Sequence, residues 1–184
     1  TYSYEVAVIV QHGLKQMYDE NQSVFYYITL MNENYGHPDM PEGADADIIK
    51  GMYLLKSATP NMKHTVRLLG SGTILREVEE ASEMLADFGV AAEVYSATSF
   101  NELRRDGQSA ARYNLLHPEA KGARISHVEA LLGGSDTPVV AATDHIQLYS
   151  EQIRPFLGRT TYITLGTDGF GRSDSRKKLR EHFE

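Results

Sequence analysis

"HTVRLLGSGTILREVEEASEMLADFGVAAEVYSAT", residues 64–98, decides the fold class. Its apolar opening, His64 to Gly70, reads as a strand. Thr73 to Phe88 reads as a helix. Leu75, Val78, Ala81, Leu85 and Phe88 recur on one face, and Glu77, Glu79, Glu80 and Glu83 on the other. Gly89 stands where a left-handed residue closes a helix. "VAAEVYSAT" reads as a second strand. The alternation then continues. Residues 100–116 read as irregular or partly helical, and 125–132 as a short helix. "TPVVAAT" is a third strand, His145 to Leu157 a third helix, "TYITLG" a fourth strand and the closing stretch a fourth helix. Strands are expected near 65–69, 91–97, 138–142 and 161–165. Strands alternating with helices predict an α/β fold, a mostly parallel sheet with helices on both faces.

Upstream, residues 2–20 carry Tyr2, Val6, Ile9, Val10, Leu14 and Met17 at helical spacing. "SVFYYITLMN", residues 23–32, is β-branched and aromatic and reads as a buried strand. "MNENYGHPDMPEG" breaks the periodicity with Gly36, Pro38, Pro41 and Gly43, so an ordered loop is expected there. Met31, Tyr35 and Met40 would be costly to leave in water, so the loop is expected to pack against another chain or domain. Ala44 to Lys56 reads as a helix with Ile48, Ile49, Met52 and Leu55 on one face. Asp45 and Asp47 suit its positive end. "SATPNMK", residues 57–63, is the linker candidate. Both ends read as cut within helical patterns, so a piece of a longer chain is expected.

Composition narrows the function. A formal net charge of -7 disfavours broad attraction to nucleic acid or anionic membrane. The absence of cysteine removes thiolate nucleophiles, disulfides and cysteine metal sites, and fits a cytoplasmic protein. No apolar run reaches the roughly 18 residues of a spanning helix.

Four stretches could carry chemistry. "LLGSGTILREV" has the strand, Gly-Ser-Gly turn and helix of a dinucleotide fingerprint, yet Leu75 holds the third glycine position. Thr98 and Ser99 end the second strand where an acidic residue would stand. It is either a weak nucleotide site or a tight turn. Asp144 and His145 end a strand, where α/β sheets place ligands; alternatively Asp144 or Thr143 caps the next helix. Glu33 and His37 could act as acid and base, or the loop could be structural. In "LGTDGFGRSDSRKKLREHFE", Gly166, Gly169 and Gly171 precede a basic helix. Ser173 or Asp174 is its expected N-cap, and Leu179 and Phe183 share a face. Arg172, Arg176, Lys177, Lys178 and Arg180 could attract an anion, but Asp168 and Asp174 would repel one. No H-E-x-x-H and no G-x-S-x-G occurs.

Five blocks, in this order, resemble one family: "YYITLMNENYGHPDMPEG", "LLGSGTILREV", "VYSATSFNELRRDGQ", "YNLLHP" and "LGTDGFGRSDSRKKLREHFE". It is the homodimeric decarboxylase (first) component of bacterial pyruvate dehydrogenase complexes, a wider relative of transketolase. The resemblance implies an oxidoreductase that uses thiamine diphosphate and magnesium between glycolysis and the citric acid cycle. Pyruvate would be decarboxylated and the acetyl group passed to a lipoyl-bearing acetyltransferase component. It implies residues 1–56 as the end of a middle, pyrimidine-binding-type domain, a helix-strand-helix remnant. Residues 57–63 would be the linker, and 64–184 a transketolase-like C-terminal domain lacking its last elements. Implied partners are the remainder of the polypeptide and a second subunit, with no nucleic acid and no membrane. The family's G-D-G cofactor motif and its activating glutamate match nothing in this chain. No catalytic, cofactor-binding or metal residue is therefore assigned. The segment alone is expected to be inactive, to bind no cofactor, and to serve mainly structure and the dimer. An independent nucleotide- or anion-binding module, or a freestanding dimerisation domain, are the other readings.

Overall fold

A computed structural model describes residues 1–31, 33–167 and 169–183, without the side chains of Arg176, Arg180 and Phe183. Expectations that rest on Asn32, Asp168, Glu184 or those three side chains lie outside the described residues.

Five strands form one sheet in the order β1-β3-β2-β4-β5. β2 (His64–Ser71), β3 (Val90–Ser96), β4 (Val139–Ile146) and β5 (Tyr162–Thr167) pair in parallel, as the alternation predicts. Leu68 stands opposite both Val94 and Val140, so apolar residues run straight across the sheet. Such runs are dense because both faces are covered. On one face Leu69, Val139, Ala141 and Tyr162 pack with residues of α4 (Phe100–Leu116), α5 (His127–Leu132) and the stretch after β4. On the other, Leu68, Ala92 and Val94 pack with Leu75 and Val78 of α3 (Ile74–Ala86). α3 stops short of Phe88. Gly89 takes φ 72°, as expected of a closing glycine, and Phe88 is left 80% exposed.

Four expectations are corrected. Ala44 to Lys56 is not one helix. α2 covers Asp45–Lys50, and β1 (Tyr53–Lys56) pairs antiparallel with β3. Gly51 causes the break. It adopts φ 103°, and a Cβ there would lie 2.6 Å from the Ser99 carbonyl oxygen. Residues 23–31 form no strand, and the segment pairs with none of the five strands of the described sheet. Residues 100–116 form a full helix. The Ser99 hydroxyl accepts the Glu102 N–H at 3.2 Å, and Gly107 lets α4 close on the Phe156 ring, which a Cβ would meet at 2.5 Å. After β4, the expected helix 145–157 divides into α6 (Leu148–Glu151) and a 3-10 turn, Arg154–Phe156, with Pro155 near its start.

The two ends differ in how they are covered. α1 (Ser3–Leu14) continues into a π turn, Lys15–Asp19, and leaves Val10 and Leu14 of its expected apolar stripe exposed. α7 (Arg176–Phe183) starts at Ser175, whose hydroxyl accepts the Lys178 N–H at 3.4 Å; Ser173 and Asp174 are not its cap.

The β5 edge is fastened by Glu151. Its carboxylate accepts two Arg154 hydrogen bonds at 2.6 Å and one from the Thr164 hydroxyl at 2.5 Å. The Arg154 bonds, with help from Thr164, hold the Glu151 carboxyl down from 4.5 to about 2. A carboxylate more acidic in the folded chain stabilises it above its unfolded value and loses that effect as pH falls from about 4.5 towards 2. Glu151→Gln should therefore flatten the decline of the urea midpoint between about pH 6 and about pH 3. The same decline in variant and parent would remove Glu151 from the acid response.

Candidate functional site

The chain leaves β2 for β3 on one side of the sheet and reaches β4 on the other. The order therefore reverses between β2 and β4, and an open α/β sheet places ligands outside the carboxyl ends of its strands at such a point. A cleft of about 510 Å³ lies there. Its floor is Ser71, Gly72 and Thr73 at the end of β2, Ser96, Ala97 and Thr98 at the end of β3, and Asp144 and His145 of β4. Its far wall is Thr1, Glu5, Val6 and Ile9 of the α1 region with residues 28–31.

The Gly-Ser-Gly turn is explained by close packing. A Cβ on Gly70 would lie 2.6 Å from the Leu75 Cα, so glycine lets α3 start against β2. Gly72 takes φ 62°, and a Cβ there would stand 3.0 Å from an Asp144 carboxylate oxygen. Asp144 does not cap a helix. It accepts the Thr73 hydroxyl at 3.1 Å and thereby ties the turn after β2 to the end of β4. His145 Nε2 stands 3.9 Å from the same carboxylate, and its ring stacks on Tyr149 with centroids 4.8 Å apart.

Glu5 is the residue that sequence reasoning missed. It is 2% exposed and accepts four hydrogen bonds. One oxygen takes the Thr1 and Tyr2 nitrogens, each at 2.7 Å; the other takes the Tyr53 hydroxyl at 2.8 Å and the Ser96 hydroxyl at 2.5 Å. The first pair closes the start of α1; the second ties α1 to β1 and β3. The available signal was a glutamate in the first turn of a helix, the position that reaches back to cap it. Around it, burial and the Glu5 charge push the Tyr53 hydroxyl far above its usual range, and burial raises Tyr4 to about 12.

Glu33 and His37 are tied to different elements. Glu33 pairs with Arg76 of α3 at 3.6 Å, and His37 Nδ1 accepts the Ser3 N–H at 3.1 Å. Between them Tyr35 packs beneath the Arg76 guanidinium at 4.8 Å and donates to the Thr1 carbonyl. Gly166 is also a packing glycine, since a Cβ would meet the Gln147 nitrogen at 2.6 Å; Gly169 takes φ 84°. Arg172 is exposed, and Lys178 pairs with Glu181 at 2.9 Å.

Chemically, the cleft presents two carboxylates, several hydroxyls and an imidazole, with no lysine or arginine in its lining. Glu5 already holds four donors, and Asp144 holds one. Among the described residues no group of three or more His, Asp or Glu could hold a metal ion. A diphosphate with its magnesium therefore does not fit here: the lining would repel the anion and offers the cation no cage. No described helix is long and apolar enough to cross a membrane.

Comparison with known proteins gives two family matches. The transketolase-like TK C-terminal domain matches residues 51–184, and the middle domain of the pyruvate dehydrogenase E1 component matches residues 1–38. The pyruvate dehydrogenase E1 component of Pseudomonas aeruginosa is 59% identical over 100% of this chain and 21% of its own length. That of Escherichia coli is 53% identical over 100% of this chain and 20% of its own. The chain thus spans about a fifth of these relatives. A transketolase from Leishmania mexicana aligns over 76% of this chain and 16% of its own, with a TM-score of 0.49 at 16% identity.

Proposed function

The chain belongs to the transketolase-like C-terminal domain family, in the form carried by pyruvate dehydrogenase E1 components, and we propose that it is an architectural portion of such an enzyme. The whole polypeptide would decarboxylate pyruvate with thiamine diphosphate and magnesium, and acetylate the lipoyl group of the second component. It would act as a cytoplasmic homodimer, with neither nucleic acid nor membrane as partner. Residues 1–56 would close its middle domain, 57–63 link, and 64–184 form the C-terminal domain. β1 would then be the stitch by which the first unit enters the sheet of the second.

One observation carries the architectural reading: the place where this sheet would hold a ligand is used to dock α1. Glu5 spends all four acceptor positions on that junction, and Thr1 donates to the Gly72 carbonyl at 2.5 Å. The alternative of an independent anion or nucleotide module has the position of the cleft in its favour. Its carboxylate lining opposes it.

Calorimetry of the 184-residue chain with thiamine diphosphate and magnesium should give no binding heat, and the chain should release no carbon dioxide from pyruvate. The full-length polypeptide should do both. Stoichiometric binding by the short chain would overturn the architectural role. A full-length polypeptide without pyruvate-dependent release would overturn the enzyme assignment.

A further inference from the structure

We propose that the outer face of α4 docks a short acidic helix of a partner protein, with carboxylates against Arg104 and Arg112 and aliphatic side chains against Leu115 and Leu116. The E1 reading above gives this face no task, and the proposal does not depend on that reading.

α4 has a core side of its own. Phe100, Leu103, Gly107 and Ala110 are buried and seat the helix on the sheet. Two exposed stripes run along its other side. Arg104, Gln108, Ala111 and Leu115 follow one another at helical spacing, and so do Arg105, Ser109, Arg112 and Leu116. Each stripe begins on arginine and ends on leucine. Leu115 is 80% exposed and Leu116 57%. Ile125 is 62% exposed and lies beside this end of α4, because the Asn114 side chain clasps the Arg124 backbone with hydrogen bonds of 2.7 and 2.9 Å. Aliphatic side chains gathered next to cationic ones have the anatomy of a docking surface, an apolar anchor with a polar rim.

The charge here is local and uncommitted. Residues 100–125 hold five Lys or Arg against three Asp or Glu, a net of +2, so the rest of the chain carries -9 of the total of -7. All three acids are engaged within the patch. Glu102 pairs with Arg105 at 3.0 Å, Asp106 with Arg124 at 3.7 Å and Glu119 with His117 at 3.2 Å. Among the described residues, Arg104, Arg112 and Lys121 are left without an ion pair. A positive stripe on a negative chain favours a partner of opposite charge and fixes its register.

The shape of the stripe selects the kind of partner. From Arg104 to Leu115 it spans about 17 Å, the length of roughly three helical turns. Ser109 and Ala111 are small and lie between the arginines and the leucines, so a second helix can approach to the usual axial distance of about 8–10 Å. A long polyanion such as a nucleic acid would run onto the negative remainder of the chain, and the leucines would give its phosphates nothing. A membrane surface requires a whole apolar helix face, and α4 has already buried its own against the sheet.

The test is a binding titration of the full-length polypeptide with a synthetic peptide of about 15 residues, blocked at both ends. Its helical face carries glutamates on one half and leucines on the other. A control peptide has the same composition in scrambled order. The patterned peptide should bind about tenfold tighter or more than the control. Arg104→Glu with Arg112→Glu should weaken its binding about tenfold or more, and Leu115→Ser with Leu116→Ser should do the same, as for anchoring contacts. All four side chains are exposed, so both double variants should keep the parent's thermal midpoint. Equal affinity for the two peptides would overturn the proposal, as would unchanged affinity in either variant. Tighter binding of phosphatidylserine vesicles or of single-stranded RNA, lost in the arginine variant, would overturn it in favour of a membrane or a nucleic acid. Self-association of the parent that the arginine variant abolishes would overturn it in favour of a second copy. Binding by the 184-residue chain and not by the full-length polypeptide would mean that the remaining polypeptide covers this face, and would overturn it too.

Discussion

Glu5→Ala is expected to lower the unfolding free energy by about 3–5 kcal/mol, the loss typical of breaking a buried charged cluster on one side. Glu5 has no solvent to fall back on, being 2% exposed. Its removal leaves the Tyr53 and Ser96 hydroxyls without their acceptor, with Tyr53 1% and Ser96 2% exposed. It also frees the Thr1 and Tyr2 nitrogens at the start of α1. Glu5→Gln keeps the shape and one acceptor oxygen and should cost about 1–2 kcal/mol. Urea unfolding with an unchanged slope is the measurement. A loss below about 1 kcal/mol for Glu5→Ala would mean that water replaces the carboxylate, and that the junction between α1 and the sheet is not held by this residue.

Gly70→Ala should cost about 3 kcal/mol, the upper part of the overpacking range. The added methyl would meet the Leu75 Cα at 2.6 Å and its Cδ1 at 2.8 Å. Leu75 is fully buried, so relief requires α3 to slide off β2. Such a slide would carry Gly72 and Thr73 away from Asp144 and open the cleft floor. Gly36→Ala is the control. Nothing lies within 4 Å of a Cβ there and φ is not positive, so the change should stay within about 0.5 kcal/mol. Thermal unfolding of both variants decides the matter. Equal midpoints would show that the β2–α3 approach can relax, and that the glycine is not required by packing.

The central sheet was legible because its signals are local. Leu75 and Val78 on a helical stripe, Gly89 at a left-handed turn and the apolar runs of β2 to β5 each declare themselves within a few residues. The α4 helix was also written there, in Ser99 and Glu102 as cap and in Phe100, Leu103 and Ala110 at helical spacing. Its polar stretch and Gly107 masked it. The reason for Gly107 is the Phe156 ring, a partner 49 positions along the chain.

Tertiary structure decided the rest. "YLLK" is a strand because β3 has a free edge to receive it, and Gly51 turns the chain because the Ser99 carbonyl stands in the way of any side chain. Asp144 became a bridge to Thr73 where sequence suggested a cap, and Glu5 became a four-donor junction where sequence showed only a charged residue in a first turn. "SVFYYITLM" kept its strand chemistry but found no ladder. Periodicity, capping and turn chemistry act over one or two turns of backbone, so the sequence alone determined where α3 and the parallel strands lie. Strand pairing, close approach of backbones and the satisfaction of buried charge depend on residues far apart in the chain, and only their assembly in three dimensions determined them.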